Sequence, residues 1–281
     1  MFTYSGHDGS VLAASTVGSH DSVIVLLHGG GPDHHSLLPL AQRLSGDHRI
    51  VLPDIRGYGL SRCPDPSRHT WNQYTQDVIA LLDHLGTDSA VIGGMGLGST
   101  IAARALLAHP HRFSAGILIS VEDIEDDEAK SAETALLDAF AATVIAEGVE
   151  AAWAPILSEL APLIGTLVRE AIPRSDPASI AAAAAIGRDR SFRNPAEFAA
   201  LTAHTLVFPG IDHRHPTALA QELVRIMPNG HLGPPFASGI HTAAELAEAL
   251  APRIGEFLAE ILSDSRSTTT AERPATVDES A

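Results

Sequence analysis

The 281-residue chain is nearly without two residues that often decide a protein's chemistry: it has one cysteine, Cys63, and one lysine, Lys130. A single thiol allows no intrachain disulfide, which fits a reducing compartment, and a lone cysteine reads first as a small packed residue. Basic residues are scarce as a class, 18 against 34 acidic ones for a formal charge of -16. That balance excludes nucleic acid as a partner, because phosphates need a basic face to neutralise them. The N-terminus has no basic segment before an apolar run, and no stretch of about 20 apolar residues occurs, so neither a signal peptide nor a membrane span is expected. These absences together predict a cytoplasmic protein with no membrane partner. The 45% of hydrophobic residues is enough to build a full core.

Short apolar runs rich in branched residues recur along the chain: "SVIVLLHGG", "HRIVLPD", "SAVIGG", "SAGILIS" and "HTLVFPG". Each is the pattern of a strand covered on both faces. Between them lie helical patterns such as "HSLLPLAQRLSG", "WNQYTQDVIALLDHLG", "GSTIAARALLAHP" and "PTALAQELVRIMP". Alternating strand and helix predict an α/β fold with a mostly parallel sheet flanked by helices. "FTYSGHDGSVLAASTVG" adds an N-terminal hairpin. From 121 to 200 the pattern is helical only, which predicts a helical cap inserted into a core formed by 1–120 and 201–262. The acidic opening of the insertion, "EDIEDDE", suits a helix N-terminus, and the alanines at 181–185 suit a helix interior. Residues 263–281 have little to bury and are expected to form a disordered tail.

Five motifs in this order resemble the α/β-hydrolase superfamily over roughly residues 2–262. "LLHGGGPDHHS" is similar to its oxyanion loop, "PDIRGYGLS" to its Asp-x-Arg-Gly-x-Gly-x-Ser segment, and "VIGGMGLGSTIA" to its nucleophile elbow. "LVFPGIDHRHP" resembles the acid-bearing turn, and "GIHTAAELAEALAPRIGEFL" the histidine loop with its closing helix. The elbow is a sharp strand-to-helix turn that needs small residues two positions before and after its apex. Centring on Met95, Leu97 or Ser99 violates that rule. Only Gly96, between Gly94 and Gly98, satisfies it, so a glycine stands where the family carries its nucleophile.

The resemblance further implies oxyanion N–H groups from Gly30 and Leu97, Asp212 as acid and His241 as base. Glu122 and Asp123 are the substitute acids, and His231 is the rival histidine. Arg56, Asp54 and His28 are expected to be structural. Gly31, Met95 and Trp153 are expected to line the substrate cavity, with Phe140, Phe192 and Phe198 as further aromatics of the cap. Asp212, His213 and His215 invite a metal reading, but their spacing matches no established zinc pattern, and neither metal nor cofactor is expected.

Two classes of function follow. One is an enzyme acting on a small apolar ester, lactone or ketone by general-base and oxyanion-hole catalysis, by hydrolysis or by lyase- or cyclase-type proton transfer, without a serine. The other is a silent protein: a small-molecule binder that keeps the pocket, or a serine hydrolase inactivated at Gly96. Substrate identity and oligomeric state are not written in the sequence.

Overall fold

The computed structural model describes residues 1–210, 212, 214–235 and 239–271. A hairpin of β1 (Phe2–Ser5) and β2 (Val11–Val17) leads into the apolar runs, which form β3 (Val23–Leu27), β4 (Arg49–Pro53), β5 (Ala90–Met95), β6 (Phe113–Ile119) and β7 (His204–Phe208). A short β8 (Gly230–Leu232) closes the edge. The sheet order is β1-β2-β4-β3-β5-β6-β7-β8, antiparallel through the β2–β4 pair and parallel from β4 onward. Every residue of β3 and β5 is buried, which explains their unbroken apolar sequence: helices cover both faces.

The helices are α1 (Leu38–Leu44), α2 (Trp71–His84), α3 (Leu97–Ala108), then α4 (Asp127–Glu147), α5 (Val149–Leu157), α6 (Pro162–Ala171) and α7 (Pro177–Ala183) between β6 and β7, and finally α8 (Thr217–Ile226) and α9 (Ala243–Ala271). One face of the sheet packs side chains of α2, α3 and α8, such as Val78, Ile101 and Leu223. The other packs α1 and α9, whose Leu246, Leu250, Ile254 and Phe257 are all buried at helical spacing. Full burial of each such side chain stabilises the fold by about 1.5–3 kcal/mol.

Between β6 and β7 every described element is helical. The acidic opening is a helix start: Asp126 caps α4, its Oδ1 accepting from the N–H groups of Glu128 and Ala129 at 3.0 and 2.9 Å. Val144, Val149, Ala152 and Ile180 form a small core within this segment, whereas Leu163 and Leu167 of α6 join the core of the sheet. The only cysteine, Cys63, is buried where α7 meets the core, and its backbone N–H donates to Ser179 Oγ at 2.9 Å.

Two local expectations differ. The alanine run does not continue one α-helix, because α7 ends at Ala183 and a 3₁₀ turn follows over Ala184–Arg188. The helical backbone of α9 reaches Ala271, past the boundary expected at 262, since extending an existing helix needs no new nucleus. Residues 272–281 of the expected tail lie outside the described residues. Among the described residues no helix is long and apolar enough to cross a membrane.

Candidate active site

At the end of β5 the chain turns sharply into α3 through Gly96, whose φ of 52° and ψ of -118° lie where side chains are strained by about 1–3 kcal/mol. The neighbouring glycines are needed for close approach. A Cβ on Gly94 would overlap the Gly98 carbonyl, and one on Gly98 would overlap the Leu27 carbonyl. The Gly96 N–H donates to Ile119 O at 3.0 Å, while Ser99 N–H and Thr100 N–H return to Gly96 O at 2.9 and 3.1 Å. The apex is therefore fixed from both sides.

Across from the apex stands an imidazole, and it belongs to His215. A Cβ placed on Gly96 would lie 3.4 Å from His215 Nε2. The turn after β7 holds this ring: Asp212 Oδ1 accepts from the N–H groups of Arg214 and His215, both at 3.0 Å, and from His215 Nδ1 at 2.8 Å. Nδ1 thus carries the proton and Nε2 presents its lone pair toward Gly96. The bond from His215 keeps the Asp212 carboxyl below its usual range against the opposing effect of burial.

His241, the histidine expected as base, is not brought to the apex. Its side chain is exposed and does not line the cavity, and its backbone N–H donates to Glu245 Oε2 at 2.8 Å at the start of α9. His231 is also elsewhere, 3.1 Å from His204 at the sheet edge. His215 was recognisable only as a member of the Asp212, His213, His215 group. His213 lies outside the described residues.

Opposite His215 the loop after β3 passes over the elbow. His28 orders it: Nε2 accepts from Ile55 N–H at 2.9 Å, so Nδ1 donates to Gly29 O at 2.8 Å, and burial keeps the ring neutral. The Gly30 and Leu97 N–H groups have no acceptor among the described residues. Asp54 and Arg56 act structurally. Asp54 accepts from His34 Nδ1 and Leu60 N–H, and Arg56 forms a two-point pair with Asp77 and another with Asp8.

A cavity of about 200 Å³ opens over Gly96. Its floor includes Gly30, Gly31, Met95 and Leu97, its wall Asp212, Arg214 and His215, and its roof Phe140, Trp153 and Ile180 from the helical segment. Trp153 packs against Gly31, where a Cβ would come within 2.8 Å of Cζ2, and stacks edge-on with Phe140 at 5.0 Å. Phe192 and Phe198 pack on each other at 4.7 Å in the core and do not line the cavity. The volume is below the roughly 300–1,000 Å³ of sites for drug-sized ligands, so a small compound fits.

Charged groups gather at the His215 end. Glu122 Oε2 accepts from Thr100 Oγ1 at 3.2 Å, and burial pushes its carboxyl pKa up. Glu133 pairs with Lys130 at 2.8 Å and Arg214 at 3.4 Å, tying α4 to the turn that carries His215. Ser120, the one non-glycine among the described residues with positive φ (53°), also lines the cavity. On the other side, Arg174 makes a two-point bond to Asp33, at 2.6 and 3.1 Å, fastening the helical segment to the loop after β3. Asp33, His34 and His35 bring ligand-type atoms within 4.8 Å of one another. Arg174 and Asp54 already engage two of those groups, which does not suit a cation.

A family model described as alpha/beta hydrolase fold matches residues 22–161. The 2-hydroxymuconate semialdehyde hydrolase of Pseudomonas putida is 27% identical over 84% of this chain and 86% of its own. An epoxide hydrolase of Caballeronia sordidicola is 45% identical over 78 residues, 27% of this chain and 24% of its own. The chain matches only 24% to 36% of the length of the first curated relatives. Among solved structures, a thermophilic esterase from Thermogutta terrifontis superposes with a TM-score of 0.78 at 24% identity, covering 92% of this chain and 98% of its own.

Proposed function

We propose that the chain, which has the α/β-hydrolase fold, is an enzyme of small, largely apolar carbonyl compounds that works without a covalent nucleophile. His215, held by Asp212, acts as general base on a water or directly on a substrate proton over the bare Cα of Gly96. The Gly30 and Leu97 N–H groups receive the negative charge that develops on the carbonyl oxygen. The carrying observation is the 3.4 Å between His215 Nε2 and the position a Gly96 Cβ would take. The Pseudomonas relative, whose name gives a semialdehyde as its substrate, supports the substrate class.

A panel of activated esters, lactones and enolisable ketones tests this reading. Turnover without a burst is expected, with a loss of about 10²–10⁴-fold in His215→Ala. A His215→Ala variant as fast as the parent overturns it, and saturable binding with no turnover of any compound favours the silent binder.

Ser120 supports a second reading. Its strained backbone and its place in the cavity allow a nucleophile on the strand next to the usual one. A fluorophosphonate that labels Ser120, with activity lost in Ser120→Ala, favours this reading over the first.

A further inference from the structure

Tyr58 is used by neither reading. It sits in the loop after β4, which three short bonds close: Tyr58 N–H to Ile55 O, Ser61 N–H to Tyr58 O and Gly57 N–H to Ser61 O, at 2.9, 2.9 and 2.7 Å. Its ring meets His28 edge-on at 5.5 Å, which fixes the direction of the hydroxyl. That hydroxyl lines the cavity and makes no hydrogen bond to any described residue. It lies 3.9 Å from the position of a Cβ on Gly30, and Leu97 Cβ lies 3.9 Å from the same point. The Tyr58 hydroxyl and Leu97 therefore flank Gly30 in the cavity that His215 also lines.

We propose that the Tyr58 hydroxyl is a third donor to the ligand's carbonyl oxygen, beside the Gly30 and Leu97 amides. The site is thereby suited to compounds whose oxygen carries or gains a full negative charge, such as enolates and phenolates. This rests on the oxyanion placement proposed above. A donor in a largely apolar cavity is costly when left unpaired, and the ligand supplies the missing acceptor. Burial, followed by the Glu122 charge, raises the phenol pKa well above its ordinary value, so the proton stays on Tyr58 and is donated.

The test is binding of 4-nitrophenolate to the full chain at a fixed pH, with 4-nitrotoluene as an uncharged control of similar shape. Tyr58→Phe is expected to weaken 4-nitrophenolate by about 10–100-fold, the range for a hydrogen bond to a charged group, and to leave 4-nitrotoluene unchanged. Independently of any substitution, adding 4-nitrophenolate to protein carrying ¹³Cζ-tyrosine should move one of three signals, since the chain has Tyr4, Tyr58 and Tyr74. Equal loss of both ligands would show a packing role and overturn the proposal. So would unchanged 4-nitrophenolate affinity, no binding to the parent protein, or no shifted tyrosine signal. His215→Ala separates this from the general-base reading: it should lower turnover by about 10²–10⁴-fold while the Tyr58 dependence of 4-nitrophenolate binding persists.

Discussion

Replacing Gly96 by serine tests the geometry of the site most directly. The new Cβ would stand 3.4 Å from His215 Nε2, an ordinary contact, and its hydroxyl would come within the roughly 2.6–3.2 Å reach of a nucleophile–base pair. With Asp212 behind the ring, the variant contains a serine–histidine–aspartate arrangement beside two backbone donors. The cost is backbone strain at φ 52°. About 1–3 kcal/mol translates into a fall in Tm of roughly 2–12 °C for a chain of this size. Gly96→Ala has the same strain and nearly the same shape but no hydroxyl, so the difference between the two isolates the nucleophile. Loss of the serine costs subtilisin about 2 × 10⁶ in kcat, and a site not adapted to acyl transfer should recover part of that, about 10³-fold in kcat/KM for an activated ester. The assay is p-nitrophenyl acetate hydrolysis with a pre-steady-state burst, plus intact mass for an acetyl adduct on residue 96. A folded Gly96→Ser protein with neither burst nor adduct would refute the placement of His215 against the apex.

Asp212→Asn should lower turnover by about 10²–10⁴-fold while keeping the fold, because the ring loses both its tautomer and its orientation; kcat and KM measured together check this. His241→Ala should leave kcat within twofold of the parent, in contrast to His215→Ala under the same assay. Arg174→Met should destabilise the protein and flatten its acid profile. Burial alone would raise the Asp33 pKa, yet the Arg174 bond holds it at about 2 against an ordinary 3.8. A carboxylate held low contributes stability that is complete above its unfolded pKa and lost as pH falls through the folded one. Roughly 2 kcal/mol should therefore disappear between about pH 4 and pH 2 in thermal melts of the parent, and much less in the variant. Gly31→Ala should shrink the cavity and lower Tm, since the added methyl meets Trp153 at 2.8 Å and φ there is 98°; ligand affinity and melting read the two effects.

The sheet was legible because strands covered on both faces leave continuous apolar runs, and β3 to β7 do so. The elbow was legible because its constraint is local and steric: Gly94 and Gly98 have no room for a side chain, and the sequence shows this directly. The histidine at the apex, His215, was not legible. Asp212 and His215 form a pair within one turn, but what makes the ring relevant is its approach to Gly96, which lies two strands away in the sheet. Motif order pointed instead to His241, whose surroundings are the exposed first turn of α9. The Asp-x-x-His spacing in "DHRH" was the available signal, since it lets a carboxylate grip both the backbone and the ring of the same histidine. β8, three residues long, is too short for any periodicity to announce it.

The seating of Cys63 gives the molecule an internal clock. Its sulfur is the only one in the chain that an alkylating reagent readily modifies at neutral pH, and it is buried, accepting from Arg56 Nη1 at 3.7 Å, while Ser179 of α7 holds only the Cys63 backbone N–H. Each reaction with iodoacetamide therefore records one opening of the loop that seats the thiol against Arg56, and the labelling rate relative to a free thiol reads how often that loop opens.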